Sequence, residues 1–347
     1  MFDYIPASDR TDNPACSICI AHYRGSEILA ACLDSVINQD CDFEYEIIVH
    51  DDASDGESLE FIANNYPRVE LLASRENVGF CIANNRMVEQ ARGKYILLLN
   101  NDTELLPDAL STLTKAAPMP GNDILTLPQF DWGTGLLVDR GYLIDPFYNP
   151  VPNLNPKRTE VAMVVGACLW ISKANWKRLG GFPEWMGSLG EDLYLCCAAR
   201  LSGLKVRVLN TSGYRHHQGH SFGGNKPASD GRLSSTYNRR FLSERNKAFT
   251  CFIMTPGFLV WLTLPLLIFA LLIEGLILSL VKRQANIFSD IYLPAIHDIY
   301  KQRKILLEHR KQVQQKGRIS IRLYYFVFTL IPRKVVMLYR YGWPRVT

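Results

Sequence analysis

The chain carries no glycine-rich G-x-G-x-x-G turn after its first apolar strand, which argues against an ordinary dinucleotide fold. It has nine cysteines but no second C-x-x-C to accompany Cys16 and Cys19. In a strand, that odd separation sends the two thiols to opposite faces, and Cys196 and Cys197 are adjacent in a helical pattern. A zinc site and a disulfide scaffold are therefore both excluded, and scattered Cys in apolar contexts act as small hydrophobes. No signal-peptide pattern precedes Pro14, so the catalytic part is expected in a reducing compartment. Charge is missing from residues 257–273, and a single Glu274 interrupts the apolar run before Val281.

What is present alternates strand and helix. Ser17–Ala21 is a short apolar strand, followed by a helical pattern with Leu29, Cys32, Leu33, Val36 and Ile37 on one face. Glu46–Val49 is a second strand that breaks into His50-Asp51-Asp52 and a Gly turn. Tyr95–Leu99 is a third, ending in Asn100-Asn101-Asp102. Near-continuous apolar runs read as parallel strands covered on both faces, and the alternation predicts a doubly wound α/β sheet. Ligands of such sheets bind at the carboxyl ends of the strands. Asp102 is thus placed where a metal or phosphate is handled, with a second acidic strand end in the same half of the chain.

Six ordered segments resemble the family 2 glycosyltransferases of GT-A fold. They are IAHYRG (20–25), VHDDASDG (49–56), ENVGFCIANN (76–85), LLLNNDTEL (97–105), GACLWISKANWKRLGGF (166–182) and GEDLYLCCAARLSGLKVRVL (190–209). The resemblance implies a Rossmann-like mixed sheet flanked by helices. It also implies a nucleotide site formed by Ala21, Tyr23, Asp52, Asn77, Gly79 and Asn101. Asp52 would accept the pyrimidine N3–H and Tyr23 would flank the base. Asp102 and His216 would hold Mg2+ or Mn2+, which prefer oxygen-rich sites and phosphate oxygens. Asn100-Asn101-Asp102 departs from the family's acidic D-x-D form, and Asn101 can bond a ribose hydroxyl without adding charge. Asp192, with Glu191 as the second choice, would be the general base that deprotonates the acceptor hydroxyl. The pair also suits the start of a helix.

Tyr214–Ser221 holds three histidines, too few ligands at set spacing for a zinc site. Residues 222–240, rich in Gly, Ser, Asn and Arg, read as a loop. The chain carries +4 overall, yet residues 282–347 hold 14 Lys and Arg against 3 Asp and Glu, a net +11 that leaves the first 281 residues at −7. The apolar run before that tail is long enough as a helix to cross a bilayer core of about 30 Å. Pro256 and Pro265 offer the alternative of a kinked segment that enters and returns. Leu323–Pro332 is too short to span and suits an interfacial seat. A membrane explains the basic tail better than nucleic acid does.

These features predict two parts, a GT-A catalytic domain over 1–250 and a mainly helical, membrane-associated region over 251–347. The expected activity is inverting, metal-dependent transfer of one sugar from a nucleotide-sugar donor to a lipid-linked or growing glycan acceptor, at the cytosolic face of the membrane. The wording around Asn100–Thr103 resembles rhamnosyltransferase-like members, which implies a dTDP- or UDP-sugar, with dTDP-rhamnose among them. The Q-x-x-R-W motif of processive synthases is missing. The alternatives are a sugar-1-phosphate nucleotidyltransferase, for which the loop AHYRGSE is short of glycine and basic residues, and a non-catalytic nucleotide-sugar-binding protein.

Overall fold

Strand β2 (Cys16–His22) is hydrogen-bonded in parallel to β3 (Tyr45–Asp52) on one side and β5 (Tyr95–Asn100) on the other. β4 (Val69–Ser74) continues the parallel set, and β1 (Phe2–Ile5) closes that edge antiparallel to it. On the far side β12 (Cys168–Ser172) runs antiparallel to β5 and β7 (Ile124–Thr126), and β13 (Val206–Val208) pairs with β7. The result is an eight-stranded mixed sheet. The computed structural model describes residues 2–54, 56–217, 224–227, 233–317 and 319–347.

Alternation along the strands explains the layers. Ile18, Ile20, Ile47, Val49, Leu97 and Leu99 face a core shared with Leu29, Cys32, Leu33 and Val36 of helix α1 (Ser26–Ile37). Each fully buried aliphatic side chain contributes about 1.5–3 kcal/mol. Helix α2 (Gly56–Asn65) precedes β4. Helix α3 (Phe80–Gln90) buries Cys81, Ala83, Met87 and Val88 and packs on β2 and β3. At Gly93, a Cβ would lie 2.5 Å from the Cys16 carbonyl carbon, so only glycine lets this turn pass so close to β2. All nine cysteines are free and eight are buried, as their apolar contexts predict.

Between β5 and β12 lie β6 (Thr103–Leu105), α4 (Ala109–Ala116), β8 (Gln129–Asp131), β9 (Leu137–Asp139), and the two-stranded ribbon of β10 (Tyr142–Ile144) and β11 (Pro150–Pro152). β6, β8 and β9 form a small second sheet with β14 (Tyr214–His216). Helices α5 (Lys173–Leu179) and α6 (Glu191–Leu201) follow β12.

The chain divides into two units: 1–141 with 152–196 and 204–217, and 142–151 with 197–203 and 218–347. The second is mostly helical: α7 (Tyr237–Met254), α8 (Val260–Lys282), α9 (Leu293–Lys301), α10 (Arg303–Gln315), α11 (Ile321–Tyr325) and α12 (Arg333–Tyr341). The mixed sheet with flanking helices and the mainly helical C-terminal region agree with the fold class read from the sequence.

One expectation needs correction. The segment 222–240 is not one loop, because β15 (Gly224–Pro227), β16 (Leu233–Ser235) and the first turn of α7 fall within it; Thr236 caps that helix by accepting the Arg239 N–H at 3.2 Å. Asp55, His220, Ser221 and the rest of this segment outside those elements and Thr236 lie outside the described residues. α8 continues as one helix through Pro265, which removes one backbone hydrogen bond from it.

Candidate active site

The carboxyl ends of β2, β3 and β5 lie side by side, with His22 opposite Asp51 and Ala21 opposite both His50 and Asn100. Three of the expected donor-site residues meet here. The Asp52 carboxylate accepts the Val78 N–H at 2.7 Å and the Gly79 N–H at 2.9 Å, so the end of β3 holds the turn into α3. Gly79 sits at φ +85°, a conformation that favours glycine. Ala21 is half-buried beside them. Asn77 is exposed, and Tyr23 is 46% exposed with the Arg24 guanidinium 4.9 Å above its ring.

The loops after β2 and β3 are strained in the same place. Arg24 and Ala53 both adopt positive φ, at 58° and 61°, and Ser54 Oγ ties the two loops by accepting the Arg24 N–H at 2.9 Å. Backbone held this way clusters at functional sites.

Asp102 is 4% exposed, at the end of β5. The antiparallel register of β6 and β14 sets His216 opposite Thr103, which brings its Nε2 to 3.1 Å from Asp102 Oδ1. β8 runs parallel to β14, and its fully buried Gln129 approaches His216 Nδ1 at 3.3 Å while accepting the Tyr214 hydroxyl at 2.9 Å. A Gln129 oxygen in that position leaves the proton on Nδ1 and turns the Nε2 lone pair towards the carboxylate. At 3.1 Å, Nε2 and the carboxylate can hold a proton or a cation between them. Asn100 Oδ1 is a buried acceptor with no hydrogen-bond partner among the described residues. These groups fit a hard divalent ion that takes its remaining ligands from phosphate and water. No cluster of three or more His, Cys, Asp or Glu suited to a metal occurs among the described residues. The His217 N–H donates to the Asp102 carbonyl at 2.9 Å, and its ring tilts against Trp132 at 6.0 Å.

Asp192 stands at the start of α6. Its carboxylate accepts the Leu193 N–H at 2.7 Å and the Gly166 N–H at 3.4 Å. One residue on, the Ala167 carbonyl accepts the Asn100 N–H at 3.3 Å. A short backbone path thus joins this carboxylate to the loop that carries Asp102. Burial pushes the Asp192 carboxyl up to about 6, against the opposing pull of its amide hydrogen bonds. Glu191 is buried beside it.

Two residues were missed by sequence reasoning. His22 is buried between Asn101, whose Nδ2 lies 3.1 Å from its Nδ1, and Asp51, whose Oδ2 lies 4.0 Å from its Nε2. A histidine ending an apolar strand was the available signal. Gln129 offered none, since its role depends on the β8–β14 pairing. Asn85, inside the ENVGFCIANN segment, pairs with the Phe182 backbone in both directions at 2.9 and 3.0 Å, a structural clamp.

The layered sheet with acidic groups at its carboxyl edge defines a GT-A type α/β domain. The mannosyltransferase PcManGT from Pyrobaculum calidifontis, solved with GDP-Man and Mn2+, shares this fold with a TM-score of 0.52 at 16% identity, over 91% of this chain and 87% of that one. Residues 17–178 match the profile of glycosyl transferase family 2. The uncharacterised glycosyltransferase YibD of Escherichia coli (strain K12) is 34% identical over 103 residues, 29% of this chain and 30% of its own length. The chondroitin synthase of Escherichia coli is 29% identical over 195 residues, 52% of this chain and 26% of that protein. The chain spans about a third or less of the curated relatives it matches.

Proposed function

We infer that the chain transfers a single sugar, with inversion, from a nucleotide-sugar donor to a hydroxyl of a lipid-linked or growing glycan acceptor in cell-surface polysaccharide synthesis. The observation that carries this reading is the buried Asp102–His216 pair, joined through Asn100, Ala167 and Gly166 to Asp192.

Each residue then has a task. Asp52 spends two acceptor positions on Val78 and Gly79, and a carboxylate has about four; the others suit the N3–H of a uracil or thymine base. Tyr23 flanks the base, with Ala21, Asn77 and Gly79 forming the wall. Asn101, oriented by His22, serves a ribose hydroxyl. Asp102 and His216 would hold Mg2+ or Mn2+, which when bound supplies charge to neutralise the departing diphosphate. Asp192 accepts the acceptor hydroxyl proton as the new bond forms; burial raises its proton affinity, which suits a base that must hold that proton. Glu191 is the alternative base. The donor is a dTDP- or UDP-sugar, dTDP-rhamnose among them.

α8 supports attachment to the cytoplasmic membrane with the sheet domain on the cytosolic side. Residues 257–282 reach a mean hydropathy of 2.6 over eighteen residues, and among the described residues this is the one helix long and apolar enough to cross a bilayer. The +11 tail suits the same face.

A panel of dTDP-, UDP- and GDP-sugars, supplied with Mg2+ or Mn2+ and membrane lipid extract, tests the assignment. Acceptor-dependent release of free nucleoside diphosphate is expected from a dTDP- or UDP-sugar. Binding of donor without any release would make the chain a nucleotide-sugar-binding protein.

A further inference from the structure

We propose that the outer face of α8 docks on an anionic lipid bilayer with the helix lying in the plane of the interface, not across it. The inference rests on the membrane attachment proposed above and is independent of the sugar chemistry.

The two faces of α8 differ in what covers them. Leu264, Leu267, Leu271, Gly275 and Leu278 are buried against the rest of the second unit. A Cβ at Gly275 would lie 2.8 Å from the rings of Phe288 and Tyr292, so the helix is seated tightly there. The opposite face carries Leu262, Leu266, Phe269, Ile273, Leu276 and Leu280 at alternating steps of four and three, each 42–77% exposed. A surface helix ordinarily turns charged and polar residues outward. This one turns a continuous apolar stripe outward, the mark of an interaction surface.

The seating of α8 argues against a span. Glu274, its one acidic residue, is held at 2.6 Å by Arg240 of α7 and at 2.5 Å by Lys334 of α12. α7 also carries Arg239, Glu244, Arg245 and Lys247, a composition that does not enter hydrocarbon. To cross a bilayer, α8 would have to leave α7 and strip both cations from Glu274. Lying flat, it keeps every one of these contacts and immerses only the stripe.

Charge identifies the occupant as lipid. Lys282 and Arg283 follow the stripe directly, and the tail they begin carries the +11 excess. The Lys334 ammonium, reaching Glu274, draws the start of α12 beside the middle of α8. Next to it Leu330, Ile331, Val335 and Tyr339 are 62–92% exposed, interleaved with Arg333 and Arg340. Exposed apolar side chains among cations match an interface of acyl chains and anionic headgroups. A protein partner would be expected to meet a polar rim, and the stripe on α8 has no charged side chain.

The test uses the full chain and vesicles of phosphatidylcholine, with or without roughly a third phosphatidylglycerol. The chain should float with the anionic vesicles and less with the neutral ones. The double variant Phe269→Glu, Leu276→Glu should lose about tenfold or more of that partitioning while melting like wild type. Spin labels at Leu262→Cys and Leu280→Cys should report equal depth in one leaflet. Failure of the wild type to float, or equal flotation by the double variant, overturns the proposal. Labels at opposite leaflets would overturn it in favour of a span. A wild-type dimer that the double variant abolishes, without lipid binding, would give the face to a second copy of the chain. Nucleoside diphosphate release from the same samples reports separately on sugar transfer.

Discussion

His216 Nε2 lies 3.1 Å from the carboxylate of Asp102, on a strand paired to the one that follows Asp102 directly. A residue 114 positions away in the chain is thereby fixed beside a buried acid, and Gln129 sets the direction of its ring. This pair leads to the first prediction. Asp102→Ala should weaken binding of both divalent ion and nucleotide, and chelator should abolish transfer. His216→Ala should weaken nucleoside diphosphate binding only when Mn2+ is present, measured by calorimetry with and without the ion. Full activity in EDTA would remove the metal role from both residues.

Asp192 should impose the acid limb of the pH profile. It takes a proton only when ionised, so the rate should rise with pH through about 6 and then level. Stability carries the opposite sign. Its folded pKa is raised above 3.8, so the folded state gains from the bound proton at low pH and loses that gain as pH rises through about 6. Asp192→Asn should therefore melt at or above wild type near pH 7.5, while its advantage should vanish near pH 4. A lower melting temperature at the higher pH would contradict the burial of an ionised acid here.

His22 holds Asn101 in place, so His22→Ala should raise the donor KM by about tenfold, the loss of one or two buried hydrogen bonds. The acceptor KM should stay unchanged. Equal effects on both substrates would point to general loosening of the strand ends instead.

The charge cluster of the second unit should govern its stability. Glu244 and Glu274 face Arg240, Lys247 and Lys334, one cation in excess. Glu274→Gln should cost about 1–3 kcal/mol in urea unfolding, reduced from the fully buried case because Lys334 is partly exposed. Burial pushes the Glu244 carboxyl up, but Lys247, Lys334 and Arg240 together hold it well below the usual carboxylate range. That depressed value adds stability above the ordinary glutamate pKa and is lost as pH falls through the folded one. Acid unfolding of Glu244→Gln should accordingly be shallower than that of wild type.

The parallel strands were legible because burial on both faces leaves a continuous apolar run, as in Ile47–Val49 and Ile96–Leu99. Their acidic ends were legible for the same reason, since a sharp change from apolar to carboxylate is a local signal. The role of Gln129 depends on a strand pairing distant in sequence, and no local pattern marks it. His22 showed only as a polar end to an apolar strand, its Asn101 partner lying 79 residues on. The second unit was legible in its helical, apolar character but not in its packing. A run of apolar residues reads alike whatever covers it, so the burial of Leu264, Leu267 and Leu271 and the partners of Glu274 showed that one side of α8 is covered by protein.

The central claim is that the carboxyl edge of the sheet binds a sugar nucleotide and that Asp192 drives its transfer. Its most direct test compares wild type and Asp192→Asn on one preparation each, with donor affinity and acceptor-dependent nucleoside diphosphate release measured side by side. The account predicts donor affinity within about twofold of wild type and turnover lower by roughly 10²–10⁴. Near-normal turnover in the variant, or a wild-type protein that binds no nucleotide sugar with either metal, would contradict it.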